Sequence, residues 1–330
     1  MEKYSNDTNE DKPVLKTDAE QTDAASKNEM PSYREPGEAM ALVRQAFDRI
    51  GYINRDDQLN NELEKAAPGR WTFHNEFWQR YLEITADMIL GESLTNHPLI
   101  IGVDKSGRYG ALFMKNFLDR LSEINNGEGP NVLFFAGHTK EHGESKIIPT
   151  QDGDLEKIEI IKDSIRNNWR PNNSNDRVLI TEDVVDAGSS LRLICRALEE
   201  LGIGYDLSIE TNGGLRGDRN MKQYIDKLII KPRQIFSTLD YSTDAVSRGR
   251  SGVGVYKKEG DLFSRRTVGS DDDDKPRRGL TSIMDDDSIR DEVIKDRIII
   301  KLVAERIAEF WLRYFKYLKE HPAEVAANCQ

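Results

Sequence analysis

The residues best suited to chemistry lie within Val178–Leu191, which reads VLITEDVVDAGSSL. The apolar run Val178-Leu179-Ile180 leads to two adjacent acids, Glu182 and Asp183. Two apolar residues follow, then the small turn Asp186-Ala187-Gly188-Ser189-Ser190, then the amphipathic run LRLICRALEELG. This pattern predicts a buried strand, a tight turn and a helix start. Carboxylates at a strand end accept hydrogen bonds from sugar hydroxyls. The turn offers backbone N–H groups and Ser hydroxyls at a helix N-terminus, where the dipole favours an anion. Together these groups suit a ribose that carries a phosphate. An ordinary strand–turn–helix with capping residues accounts for Asp186 or Ser189. It does not account for two neighbouring acids at the strand end as well.

A second segment has complementary chemistry. Gly102-Val103-Asp104-Lys105-Ser106-Gly107-Arg108-Tyr109-Gly110 reads as a strand end, a small turn with two cations, and a helix. A diphosphate needs such a site, with backbone amides at a helix N-terminus and Lys or Arg to offset its charge. One Lys and one Arg in a loop are usually just solvated, so the weight of this segment comes from its place after the first core strand.

The elements that must position these loops follow from periodicity. A helix is expected after Pro36, with Met40, Val43, Ala46, Phe47 and Ile50 on one face, and a second over Phe73–Leu90. The aromatic stripe of the second (Phe77, Trp78, Tyr81) reads as core packing. Strands are expected at 98–103, 131–136, 178–182, 205–210, 228–231 and 235–239. Helices are expected at Gly110–Ile124, near Leu155–Arg166, after the acidic motif and at Asp218–Lys227. Strands alternating with helices imply an α/β fold with a doubly wound, mainly parallel sheet, whose ligand lies at the carboxyl ends of the strands. A long amphipathic helix over about Ile289–Glu320 carries Ile299, Val303, Ile307, Phe310, Trp311, Tyr314 and Leu318. It would cover the sheet or pair two copies of the chain into a homodimer. The expected organisation is a disordered tail at 1–35, a helical segment at 36–95, the α/β core at 96–245, a Gly/Arg-rich and charged stretch at 246–288, and the terminal helix at 289–330.

Composition narrows the function. The chain has 330 residues, 37% hydrophobic and 32% charged, with a net charge of −11. Its isoelectric point near 5.2 argues against a nucleic-acid partner, because phosphate backbones demand a basic face. No apolar run approaches a membrane span, and MEKYSNDTNEDK lacks the apolar core of a signal peptide. Two cysteines, Cys195 and Cys329, fit free thiols in a reducing cytosol, and zinc-ligand spacing is lacking. A cytoplasmic protein without a membrane partner is the expectation.

Residues Val178–Ser190 resemble the phosphoribosyl pyrophosphate (PRPP) motif of the type I phosphoribosyltransferases: an apolar strand, an acidic pair, two apolar residues, then a small Thr/Gly/Ser loop opening a helix. Ala187 stands where Thr is usual, which removes one hydroxyl and keeps the backbone donors. Asp104–Arg108 resembles that family's pyrophosphate loop, at the same topological place. The resemblance covers about residues 98–240. It implies a PRPP-dependent transferase of nucleotide metabolism that delivers a phosphoribosyl group to a base-like nitrogen acceptor, or runs the reverse reaction, with Mg²⁺ as cofactor. It implies that Glu182 and Asp183 hold the ribose hydroxyls, directly or through the metal. Asp186, Ala187, Gly188, Ser189 and Ser190 would hold the 5′-phosphate, with Asp186 also a base towards the acceptor. Lys105, Ser106, Gly107 and Arg108 would hold pyrophosphate. It further implies a mobile loop within 137–176, where His138, Lys140, His142 and Lys146 are candidate catalytic groups. A hood for the acceptor would come from the N-terminal helices or from Ser247–Lys258, which reads equally well as a surface hairpin. Two other classes stay open: a regulator that binds PRPP or a nucleotide without turnover, and a scaffold that uses Arg248, Arg250, Arg265, Arg266, Arg277 and Arg278 as a local nucleic-acid patch.

Overall fold

In a computed structural model of the chain, structure is described for residues 37–51, 61–62, 65, 71–94, 96–103, 107–124, 127–135, 152–184, 191–211, 232–237 and 287–322. In chain order the elements are α1 (Glu38–Ile50), α2 (Trp71–Leu90), β1 (Leu99–Val103), α3 (Arg108–Ile124), β2 (Asn131–Phe135), α4 (Asp152–Asn168), β3 (Val178–Val184), α5 (Arg192–Glu200), β4 (Tyr205–Thr211), β5 (Ile235–Ser237) and α6 (Asp287–Glu320).

The strands form one five-stranded sheet in the order β2-β1-β3-β4-β5, every pairing parallel. All five residues of β1 (LIIGV) are buried, because helices cover both faces of such a sheet and leave no polar side to a central strand. Alternation then sorts the residues. Leu99, Ile101, Val178, Ile180, Leu207 and Ile209 meet α4 and α5 on one face. Ile100, Leu179 and Phe236 meet the layer built from α1, α2, α3 and α6 on the other. The α/β class and the parallel sheet expected from the sequence are both present.

The layer of α1, α2, α3 and α6 is tied by aromatic contacts. Tyr81 of α2 stacks on Phe113 of α3 at 3.9 Å, and Phe47 of α1 lies 4.8 Å from Phe310 of α6. Trp311 donates its indole N–H to Thr85 Oγ1 at 2.8 Å, and the Thr85 hydroxyl donates to the Tyr81 carbonyl at 2.6 Å. The stripe of α6 packs as its periodicity predicts, with Ile299, Val303, Ile307, Phe310, Trp311 and Tyr314 buried against α3 and its neighbours. The α2 helix is buried all round from Arg80 to Met88. Its Arg80, Glu83 and Asp87 are therefore inside the fold, where charged groups persist only with polar partners, and each has one.

At the amino ends of the strands a buried polar cluster pins the connections. Asp206 of β4 accepts from His97 Nε2 at 2.9 Å, from Arg177 Nε at 2.8 Å and from the Gln234 backbone N–H at 3.0 Å. Ser93 Oγ accepts from Arg177 at 3.3 Å and donates to Gln234 Oε1 at 2.5 Å. One carboxylate thus joins the segments that enter β1, β3, β4 and β5.

The helix expected near Leu155–Arg166 is present as α4, longer at both ends, and it buries Ile158, Ile161 and Ile165 against α5 and the sheet. The helix expected from Gly110 begins at Arg108, because Gly107 already closes the preceding turn. The tail at 1–35, the candidates between 138 and 146, the elements expected at 218–231, the segment 247–258 and the arginines at 248–278 lie outside the described residues. Among the described residues no helix is long and apolar enough to cross a membrane.

Candidate functional site at the carboxyl ends of β1 and β3

The sheet order puts β1 and β3 side by side, although α3, β2 and α4 separate them in sequence. Gly102 pairs with Thr181 across this ladder and with Phe134 of β2 on the other side. The helix that follows β1 lies on one face of the sheet, and the helix that follows β3 lies on the other. The chain therefore parts at the carboxyl ends of these two strands, which is the switch point where open α/β sheets bind ligands. The segments 104–106 and 185–190 leave β1 and β3 at this point.

Gly107, at the entry to α3, is seated directly on β3. The Gly107 N–H bonds the Val103 carbonyl at 2.8 Å, and the Gly107 carbonyl accepts from Ala111 N–H at 3.0 Å, the first turn of α3. The same carbonyl accepts from Thr181 Oγ1 at 2.6 Å. A Cβ on Gly107 would lie 1.9 Å from the Thr181 carbonyl oxygen, so only glycine allows this approach. Gly102 serves the same fit from below: a Cβ there would stand 2.9 Å from Ala111 Cβ, from the Gly107 oxygen and from the Phe134 ring. Helix α3 can settle over the β1–β3 seam because both positions lack a side chain.

The charged residues read from the sequence occupy distinct places. Glu182 belongs to β3, opposite Ile209 of β4, and is 2% exposed. It shares the side of Val178 and Ile180, away from Thr181, and a polar interaction accompanies its burial. Asp183 is the next residue of the same strand. Arg108 is the first residue of α3 and fully buried, with its guanidinium carbon 5.1 Å from the centre of the Phe134 ring. Its charge lies inside the fold, and the aromatic face of the β2 edge strand partners it. Gly107 is buried at the seam. Lys105, Ser106, Asp186, Ala187, Gly188, Ser189 and Ser190 lie outside the described residues. Helix α5 begins at Arg192, with Leu191 at the N-cap and no side-chain capping bond.

Cys195 is buried in α5. Burial pushes its thiol up to about 12, partly opposed by a hydrogen bond with Tyr205, so it stays protonated and is not a nucleophile. Among the described residues no three His, Cys, Asp or Glu side chains converge on a common point.

The sequence reading passed over Thr181 and Gly102. Each carried a signal: a glycine inside an apolar strand marks a close backbone approach, and a hydroxyl in a run of Val, Leu and Ile is not needed for packing. Neither family models, nor curated proteins, nor solved structures yield a match to this chain.

Proposed function

We propose that this chain binds PRPP at the β1–β3 seam and transfers its phosphoribosyl group to a base-like nitrogen acceptor. One observation carries the reading. Gly107, which follows the Lys105-Ser106 pair in sequence, and Thr181, which precedes the acid pair on β3, are 74 positions apart and in contact at the switch point of a parallel sheet. A ligand with phosphates at one end and sugar hydroxyls at the other matches that pairing.

In this reading Glu182 and Asp183 take the ribose hydroxyls. The 185–190 segment takes the 5′-phosphate, with Asp186, Ala187, Gly188, Ser189 and Ser190 as its contacts. Lys105, Ser106 and the Gly107 turn take the diphosphate, and Arg108 adds its charge from inside the fold. The bond from the anomeric carbon to the diphosphate oxygen breaks, a bond to the acceptor nitrogen forms, pyrophosphate leaves with its electron pair, and the acceptor's proton passes to Asp186. Mg²⁺ fits the residues present. It is usually held by one or two carboxylates together with substrate phosphates rather than by an all-protein cage, and Glu182 is a hard oxygen donor at this seam. When bound, the ion offsets the charge of the departing diphosphate.

Binding without turnover is the second reading. The burial of Glu182 and Arg108 favours it, because fewer charged groups then face the ligand. Incubation with PRPP, Mg²⁺ and a panel of nitrogenous bases separates the two. Release of pyrophosphate that depends on one base supports transfer. Calorimetric binding of PRPP without release supports the regulator, and absence of both sinks the site.

A further inference from the structure

We propose that Thr181 is a positioning residue of this site: its hydroxyl ties Gly107, at the entry to α3, to β3 and so sets the spacing between Gly107 and Glu182 that a bridging ligand must span. The inference rests on the PRPP reading above.

Three observations meet at one residue. Thr181 Oγ1 donates to the Gly107 carbonyl at 2.6 Å, and Thr181 is 1% exposed. The Thr181 carbonyl is the group against which Gly107 is packed, so contact and hydrogen bond fix the same pair of segments. The next residue in the chain is Glu182. Any slide of Gly107 along β3 must break this bond, and Glu182 moves with the strand.

Packing alone does not call for a hydroxyl here. Valine has nearly the same shape, suits a buried strand as well, and brings no polar group to desolvate. A ligand that bridges the turn and the acids does call for it, because a misplacement of about 1 Å at a reacting centre costs roughly 100-fold in rate. Ligands that touch only one segment do not sense the spacing. That difference separates positioning from plain structural support.

The test compares Thr181→Val and Thr181→Ser with wild type by calorimetry in Mg²⁺, using PRPP, inorganic pyrophosphate and ribose 5-phosphate as three separate probes. In Thr181→Val the Gly107 carbonyl keeps its Ala111 bond, so no buried acceptor is orphaned. The valine variant is expected to lose about tenfold or more in PRPP affinity and to change by less than about threefold for each fragment, since only the bridging ligand senses the spacing. Thr181→Ser is expected to bind PRPP within about threefold of wild type, because it keeps the donor. A valine variant that binds PRPP normally, or that loses all three probes alike, overturns the role. Should Thr181→Val not fold, Thr181→Ala repeats the comparison, and failure of both to fold assigns the hydroxyl to the fold and overturns the role. Wild type that binds none of the three probes overturns the PRPP reading itself, and this role with it.

Discussion

Adjacent acids on a strand serve a sugar only if their charge matters more than their shape, and that is testable at the residue scale. Glu182→Gln with Asp183→Asn keeps size and hydrogen-bonding reach but removes two acceptor charges. Removing a preorganised electrostatic contact from a reacting group costs roughly 100-fold or more in turnover. The double variant is expected to keep its circular-dichroism spectrum and melting transition and to lose pyrophosphate release to that extent. A folded variant with near-normal release would remove the acids from the mechanism. Cys195 yields a prediction independent of any ligand. Burial raises its thiol from 9.0 to about 12. The unfolded chain therefore ionises first as pH rises, and the stabilisation, complete below pH 9, is lost up to about 12. The slope in that window is about 1.4 kcal/mol per pH unit. Cys195→Ala lacks this titration, so the stability gap between wild type and variant should narrow between pH 9 and 11 in urea unfolding. A gap that stays constant would mean the thiol is hydrated.

At the scale of elements, the two ends of the sheet do different work. The carboxyl ends carry the loops, and the amino ends are fastened by Asp206 to His97, Arg177 and the Gln234 N–H. Asp206→Ala strands a half-buried guanidinium and a buried imidazole together, and breaking such a cluster costs about 3 kcal/mol. Because the cluster lies at the end remote from the β1–β3 seam, the variant, while folded, is expected to bind PRPP as wild type does. A shift of the urea midpoint without loss of affinity supports this division, and loss of PRPP affinity in the folded variant contradicts it. This end was not legible in the sequence. His97, Arg177 and Asp206 are far apart in the chain, and nothing local marks them as partners. The strands and helices were legible, because apolar runs such as Leu99–Val103 and the stripe of α6 report burial directly. The strand position of the acid pair was legible, since Glu182 and Asp183 follow the apolar run within β3. The buried seat of Arg108 was not, since a loop cation and a helix-start cation read alike until Gly107 is seen to close the turn.

At the scale of the whole molecule, the buried apolar residues of the described core run from Val43 to Tyr314. Residues Met1–Met30 separate as a unit from Pro31–Gln330, and they carry few apolar side chains with which to offset ordering entropy. Removal of 1–30 is expected to move the melting temperature by less than about 2 °C, a change of about 1 kcal/mol at most for a chain of this size. The opposite truncation behaves differently. A chain that ends before Asp287 loses Ile299, Ile300, Val303, Ala304, Ile307, Ala308, Phe310, Trp311 and Tyr314 from the core and exposes the faces of α1, α2 and α3 that they cover. It also leaves Thr85 without the indole that donates to it. Burial of a large apolar side chain contributes about 1.5–3 kcal/mol, whereas a whole domain is stable by about 5–15 kcal/mol. The loss exceeds what the fold has in reserve. The C-terminal truncation is therefore expected to be insoluble or to lack a cooperative melt, while the N-terminal one keeps both the melt and PRPP binding. A C-terminally truncated chain that melts cooperatively near the wild-type temperature would show that α6 is an addition to the fold rather than part of its core.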